Sequence, residues 1–352
     1  MKKLQSYINW LLILLLLLIA GTSCTRQLAK SVVSKAQRSS YYSEAPYSNS
    51  SADLERITHA VKKVNCYATY RTYVFGENSR VTLQDLSGQD LLEKSMARVD
   101  NNESVSGTAL AVYCDGDRIA LLTCAHVAVF PDTLINWSEH SDLQSNRYIH
   151  SISFKLRQQL YVRDIPDGGP IEVLASNIKE DIALLGRTLQ QPAPGADVFG
   201  YPAGNSDKLE FGSFIYLIGY PVGQLMVTSG LVSLPADPKA NFLTDAPFNE
   251  GFSGGIVLAV RNDAPGLELV GIGRAVSART GYSLKPEKQV HEYNYNPSVP
   301  YSGNIYVHEE KEMNYGITFV IPVNRLRQFY YDNRQQLSGQ GFKLDKFFGT
   351  GE

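Results

Sequence analysis

From Ser104 to Pro322 the apolar residues come in short runs of strand length, cut apart by Gly, Pro, Asn and Asp. Only one later stretch, Val323 to Leu337, repeats its apolar residues at helical spacing, with Leu326, Phe329 and Tyr330 on one face. Many short strands and a single terminal helix restrict the chain to an all-β fold, an antiparallel barrel or sandwich closed by a C-terminal helix. The predicted strands are Asn65–Phe75, Ser106–Tyr113, Arg118–Thr123, His150–Leu156, Ile171–Ala175, Asp181–Leu185, Ser213–Ile218, Leu225–Val232, Ile256–Val260, Leu267–Ile272 and Ile317–Pro322. Residues 76–103 are charged and polar and read as an insertion. Residues 277–314 show no period and read as a long surface loop. This organisation gives one domain over 59–338 and a tail over 339–352, preceded by a polar tether over 25–58.

The first 24 residues read as a targeting segment. Lys2 and Lys3 precede an unbroken apolar run from Leu11 to Ala20, the length of a signal-peptide core and short for a membrane span. Gly21-Thr22-Ser23-Cys24 then resembles the end of a bacterial lipoprotein signal, which implies lipidation of Cys24 and a membrane partner. Gly21 departs from the leucine usual there. Ordinary secretory cleavage and an uncleaved anchor are the competing readings, and all three put the folded part outside the cytoplasm, in a bacterial envelope. A net charge of −2 gives no electrostatic footprint for nucleic acid. Three cysteines remain beyond Cys24: Cys66, Cys114 and Cys124. A two-residue turn at Asp115-Gly116 would pair Cys114 with Asp117 and Cys124 with Gly107. The two thiols would then lie about 20 Å apart, too far to bridge. Cys66 with Cys124 stays open, and buried free thiols are the default.

The chemistry centres on Thr244-Asp-Ala-Pro-Phe-Asn-Glu-Gly-Phe-Ser-Gly-Gly255. A serine hydroxyl attacks a carbonyl only when a base takes its proton and N–H groups meet the oxyanion formed. Glycines around Ser253 let the backbone turn the N–H groups of Gly251 and Ser253 toward one point. Of the six histidines, His126 closes the strand run Ala120-Leu-Leu-Thr-Cys-Ala-His126 and sits where a ring reaches a cleft from a rigid backbone. Asp181 opens the apolar run Ile182-Ala-Leu-Leu185, and a carboxylate buried there needs a partner. Glu180 is its immediate competitor. Each motif alone also fits a structural role: a glycine turn, a core histidine, a strand-end aspartate. The order His126, Asp181, Ser253 is one of the known chain orders of the serine triad.

With Leu121-Leu-Thr-Cys-Ala-His-Val127, Glu180-Asp-Ile-Ala-Leu-Leu185 and the Ser253 stretch together, the chain resembles a trypsin-like serine protease, most closely of the Deg/HtrA type. Ile218-Gly-Tyr-Pro-Val-Gly223, Thr228-Ser-Gly-Leu-Val-Ser233 and Gly316-Ile-Thr-Phe-Val-Ile-Pro322 add to the likeness. The resemblance spans roughly residues 60 to 335. It implies two six-stranded antiparallel β-barrels with a cleft between them, protein or peptide substrates, an open oligomeric state, and neither cofactor nor metal. It makes Ser253 the nucleophile, His126 the general base, Asp181 its orienting acid, and Gly251 and Ser253 the oxyanion donors. It assigns the substrate pocket wall to Gly271, Ile272, Gly273 and Arg274. A small aliphatic P1 residue is the leading expectation, and an inward Arg274, which would favour an acidic P1, is the alternative. Pro247 argues against cleavage after Lys or Arg. Phe252, Glu250 and Cys124 depart from the residues usual at their places, and no PDZ domain is expected to follow. The rival reading is a catalytically silent protease fold kept as a binding module.

Overall fold

The computed structural model describes residues 40–45, 50–76, 78–86, 93–138, 147–193, 197–233, 241–262, 266–286, 298 and 304–349. The predicted signal segment, Cys24 and most of the tether lie outside these residues.

Thirteen strands build two closed antiparallel barrels among the described residues. The first takes β1 (Val61–Val74), β2 (Ala97–Asp115), β3 (Arg118–Thr123), β4 (Thr133–Trp137), β5 (Ile149–Val162), β6 (Pro170–Asn177) and β7 (Ile182–Thr188). Its order is β1-β2-β3-β7-β6-β5, and pairing of β5 back onto β1 closes the ring; β4 adds to β5 as an extra strand. The second takes β8 (Phe214–Gly219), β9 (Met226–Ser233), β10 (Phe242–Thr244), β11 (Ile256–Val260), β12 (Leu267–Pro286) and β13 (Ile305–Pro322), closed in the order β10-β13-β12-β11-β8-β9. Among the described residues, closure pairs the core strands of each ring on both sides. The α-helices α1 (Ser51–Thr58), α2 (Ala125–Ala128), α3 (Val323–Gly339) and α4 (Asp345–Phe348), and three short 3₁₀ turns at Leu83–Leu86, Ser206–Lys208 and Pro221–Gly223, lie among the described residues.

Burial accounts for the strands the sequence made legible. Leu110, Ile119, Leu121, Leu122, Leu184 and Leu185 are buried inside the first barrel or beneath it, in a core that continues under the second, and Ile215, Leu217, Val257, Ala259 and Val270 form a separate core in the second. Each such aliphatic side chain contributes about 1.5–3 kcal/mol by leaving water. Leu326, Phe329 and Tyr330 of α3 are buried against this core, as their spacing predicts.

Several expectations are corrected. The insertion over 76–103 ends early, because Ala97–Glu103 continues β2 along β1 from Val74 to Ala68. The loop over 277–314 is, where described, the paired continuation of β12 and β13, from Ser277 opposite Asn314 to Pro286 opposite Ile305. The hairpin turn is Gly116-Asp117, since Asp115 pairs with Arg118 and a bulge between Ala111 and Tyr113 absorbs the offset. Its glycine sits at φ +61°, the left-handed conformation such a turn requires. The short strands β4 and β10 were not predicted. Cys66, Cys114 and Cys124 are free, with Cys66 and Cys124 buried.

The tether is pinned before residue 58. Tyr41 is buried, bridges to Arg261, and donates its hydroxyl to Glu268 Oε2 at 2.8 Å. The tail also packs. Phe342, Leu344 and Phe348 are buried, and the Tyr330 hydroxyl donates to Asp345 at 3.0 Å.

Candidate active site

His126 and Asp181 come from the first barrel and Ser253 from the second. His126 lies in the one-turn helix α2, three residues beyond the end of β3, and not within the strand as the sequence suggested. Asp181 immediately precedes β7 in the left-handed conformation, φ +62°. Aspartate tolerates that region better than most residues, and its surroundings hold it there. Its carbonyl accepts from Ala125 N at 3.1 Å, and its Oδ1 accepts from His126 N at 2.9 Å. Nδ1 of His126 lies 3.0 Å from Oδ1 and 2.9 Å from Oδ2. Burial pushes the Asp181 carboxyl up, but the bonds and charge of His126, helped by Arg274, hold it below the usual carboxylate range. Glu180 instead pairs on the surface with Arg325 at 3.2 Å.

Ser253 and His126 line one cleft between the barrels, of about 820 Å³, with Phe130, Leu134, Phe248 and Glu250 among its walls. The Ser253 hydroxyl donates to the Arg274 carbonyl at 3.3 Å, and among the described residues no hydrogen bond joins it to the imidazole. A serine hydroxyl is re-aimed by rotation about a single bond, and such contacts commonly tighten only when substrate arrives.

The loop behind Ser253 sets four peptide planes. Glu250 O accepts from Val222 N at 2.9 Å, Gly251 O from Thr108 Oγ1 at 2.8 Å, Phe252 O from Gly255 N at 2.7 Å, and Ser253 O from Thr108 N at 2.8 Å. In a trans peptide the N–H points opposite to the preceding C=O. Anchoring the carbonyls of Glu250 and Phe252 therefore directs the N–H groups of Gly251 and Ser253 the other way, and among the described residues neither has an acceptor. Gly251 sits at φ +100°, and a Cβ there would lie 2.3 Å from Tyr220 O. Gly254 is tighter still: at φ +82°, a Cβ would lie 2.0 Å from Thr108 O. Gly254→Ala should therefore displace the serine loop, lowering the melting temperature by several degrees and activity with it. Thermal unfolding beside a peptide assay checks this; an unmoved melting temperature contradicts it.

The expected pocket wall is corrected. Gly271, Ile272 and Gly273 are buried within β12, behind the nucleophile, where Gly273 O accepts from Gly254 N at 2.8 Å. Of the four residues only Arg274 lines the cleft, beside Ala275. Its guanidinium does not reach out for a substrate acid: Nε donates to Asp181 Oδ2 at 3.1 Å. Sequence reasoning missed this cross-barrel pair, as it missed Thr108 and Val222, because nothing local marks them.

Cys124, His126 and Asp181 place ligand-type atoms within 4.8 Å of one another. They make a poor metal site. Burial, then the neighbouring Asp181 charge, keep the Cys124 thiol protonated far above its ordinary range, and it donates to Gly273 O. The carboxylate is already taken by His126 and Arg274.

Residues 107–272 match the family model of the trypsin-like peptidase domain. Over that stretch, a little under half of the chain, it is similar to trypsin-like peptidases. Among solved structures it is similar to a variant of the HtrA-type protease AlgW with a decapeptide, at 19% identity and TM-score 0.42, covering 84% of this chain and 68% of that one. It is similar also to AlgW with a tripeptide, at 19% identity and TM-score 0.41, covering 84% of this chain and 65% of that one. Likeness at this distance assigns nothing to individual residues. No curated protein matches the chain.

Proposed function

We propose that this chain is a serine endopeptidase that cleaves through an acyl-enzyme on Ser253. His126 takes the serine proton and later returns it to the leaving amine. Asp181 orients the imidazole and stabilises its charged form. The N–H groups of Gly251 and Ser253 receive the oxyanion. One observation carries this reading: a buried carboxylate bonded to His126 Nδ1 stands on one side of a cleft, and on the other stands a serine whose own amide, like that of Gly251, has no acceptor among the described residues. Labelling with a fluorophosphonate probe tests it. The wild-type chain should label at Ser253 and digest casein, and both signals should vanish in His126→Ala.

One contact favours the second reading, a silent binding module: the resting Ser253 hydroxyl is bonded to Arg274 and not to His126. Absence of labelling in the folded wild type would select it.

The cleft also shapes the substrate expectation. Arg274 is engaged by Asp181, and the exposed Glu250 presents a carboxylate to the cleft. Peptides with Ala or Val at P1 should be cleaved at least about tenfold faster than those with Asp or Glu. A panel varied at P1 alone decides this, and faster cleavage after an acidic residue would refute it. The N-terminal sequence leads us to place the enzyme in a bacterial envelope, held by lipid on Cys24. Fatty-acid labelling of the full chain should be lost in Cys24→Ser, and retained labelling would remove the anchor.

A further inference from the structure

Thr108 lies in β2 of the first barrel, fully buried, and holds the serine loop of the second. Its amide donates to Ser253 O at 2.8 Å, and its own carbonyl accepts from Thr123 Oγ1 at 2.6 Å. Its hydroxyl lies 2.9 Å from Tyr220 N and 2.8 Å from Gly251 O. The amide can only donate, so the hydroxyl proton must go to the Gly251 carbonyl. One oxygen therefore joins two loops: Tyr220–Gly223, whose Val222 N fixes the Glu250 carbonyl, and the loop carrying Gly251. The neighbouring glycines leave it this room. A Cβ at Gly219 would meet Thr108 Oγ1 at 2.8 Å.

We propose that Thr108 is a positioning residue of the oxyanion donors: its hydroxyl and amide anchor the Gly251 and Ser253 carbonyls, the peptide planes that follow each donor, and its hydroxyl also holds Tyr220 N in the loop whose Val222 N sets the plane of the Gly251 N–H. The inference rests on the peptidase reading above. Thr108 is buried away from the cleft and acts only through the loop. Its orientation is settled by bonds spanning 143 residues of sequence, so the first barrel sets the geometry of the second barrel's nucleophile. A donor displaced by about 1 Å loses on the order of 100-fold in rate.

The test compares Thr108→Val, which keeps the shape and removes the hydroxyl, with Thr108→Ser, which restores it. In the full chain, Thr108→Val should lower kcat about 100-fold with KM within about twofold, and weaken a peptide boronate more than a non-cleavable substrate peptide. Thr108→Ser should recover most of the rate. Hydrogen exchange over residues 247–256 should quicken in Thr108→Val and not in Thr108→Ser, and this readout needs no turnover. If Thr108→Val does not fold, Thr108→Ala carries the same comparison. A wild type that turns over beside a Thr108→Val of equal kcat, or one in which only KM moves, overturns the proposal. A folded wild type that neither labels nor cleaves removes the peptidase reading instead. The loop-holding role then stands on exchange alone, and unchanged exchange in Thr108→Val overturns it.

Discussion

Ser253→Ala and His126→Ala should each lower kcat by about 10⁶-fold, and the double variant should be no slower than either single one. The size follows from the division of labour across the two barrels. The serine without its base is a neutral alcohol, and the base without its serine has no proton to take, so the pair acts as one unit and its losses do not add. A factor of 10⁶ corresponds to about 8 kcal/mol of barrier. What survives is the contribution of the two amides and of binding, roughly 10³–10⁴ over water. The geometry makes the result specific. The imidazole is already fixed by two contacts to Asp181, at 3.0 and 2.9 Å, whereas the serine hydroxyl rests on the Arg274 carbonyl. Replacing Ser253 thus removes one bond at 3.3 Å and leaves the first barrel's half of the site intact. The Ser253→Ala variant should fold with an unchanged melting temperature, so its silence reports chemistry alone. Rates on a chromogenic peptide, normalised to titrated active sites, measure the loss. A Ser253→Ala variant that keeps even a hundredth of the wild-type rate would mean another nucleophile.

The sequence made this half of the site legible because its constraints are local. Ser253 needs glycines on both sides, and Asp181 needs to border an apolar strand; both needs leave marks within a few residues. His126 carries a weaker mark, because the apolar run before it continues into a single helical turn that the sequence does not distinguish from a strand end. Thr108 and Arg274 left none. The hydroxyl of one and the guanidinium of the other acquire their roles from partners 143 and 93 residues away, across the barrel interface. The same distinction runs through the fold. Strands that line a core alternate or cluster their apolar residues and are legible where they run long enough, which the three-residue β10, though buried, does not. Ala97–Glu103, mostly exposed, and the outer part of β12 and β13, where Tyr282, Leu284, Ile305 and Val307 stand in solvent, have no core to satisfy. Without a buried face, a strand carries no hydrophobic period to read.

Asp181→Asn should cost about 10⁴-fold in kcat, and here the cause is the shortage of acceptors. The carboxylate answers three donors with two oxygens. Oδ1 takes His126 N, Oδ2 takes Arg274 Nε, and Nδ1 of His126 lies within 0.1 Å of equidistance between them, at 3.0 and 2.9 Å. An asparagine offers one oxygen and one NH₂. If its oxygen serves His126 N, the NH₂ confronts Arg274; if it serves Arg274, the NH₂ confronts the His126 amide. In either orientation the NH₂ lies beside Nδ1 and favours the tautomer that carries its proton on Nε2, which cannot take a proton from serine. Two readouts follow. The rate falls without a matching rise in KM, because the loss is confined to the step in which imidazolium forms. Stability changes too, with a definite sign in pH. The folded-state carboxyl of Asp181 is held below its unfolded value, so the stability it adds is complete above about pH 4 and is lost as pH falls through the folded value. The wild type should therefore be more stable than Asp181→Asn near neutrality, and the gap should narrow on acidification below about pH 4. Urea unfolding at several pH values measures it. A gap that stays constant into acid would show that Asp181 is not the carboxylate these donors hold ionised.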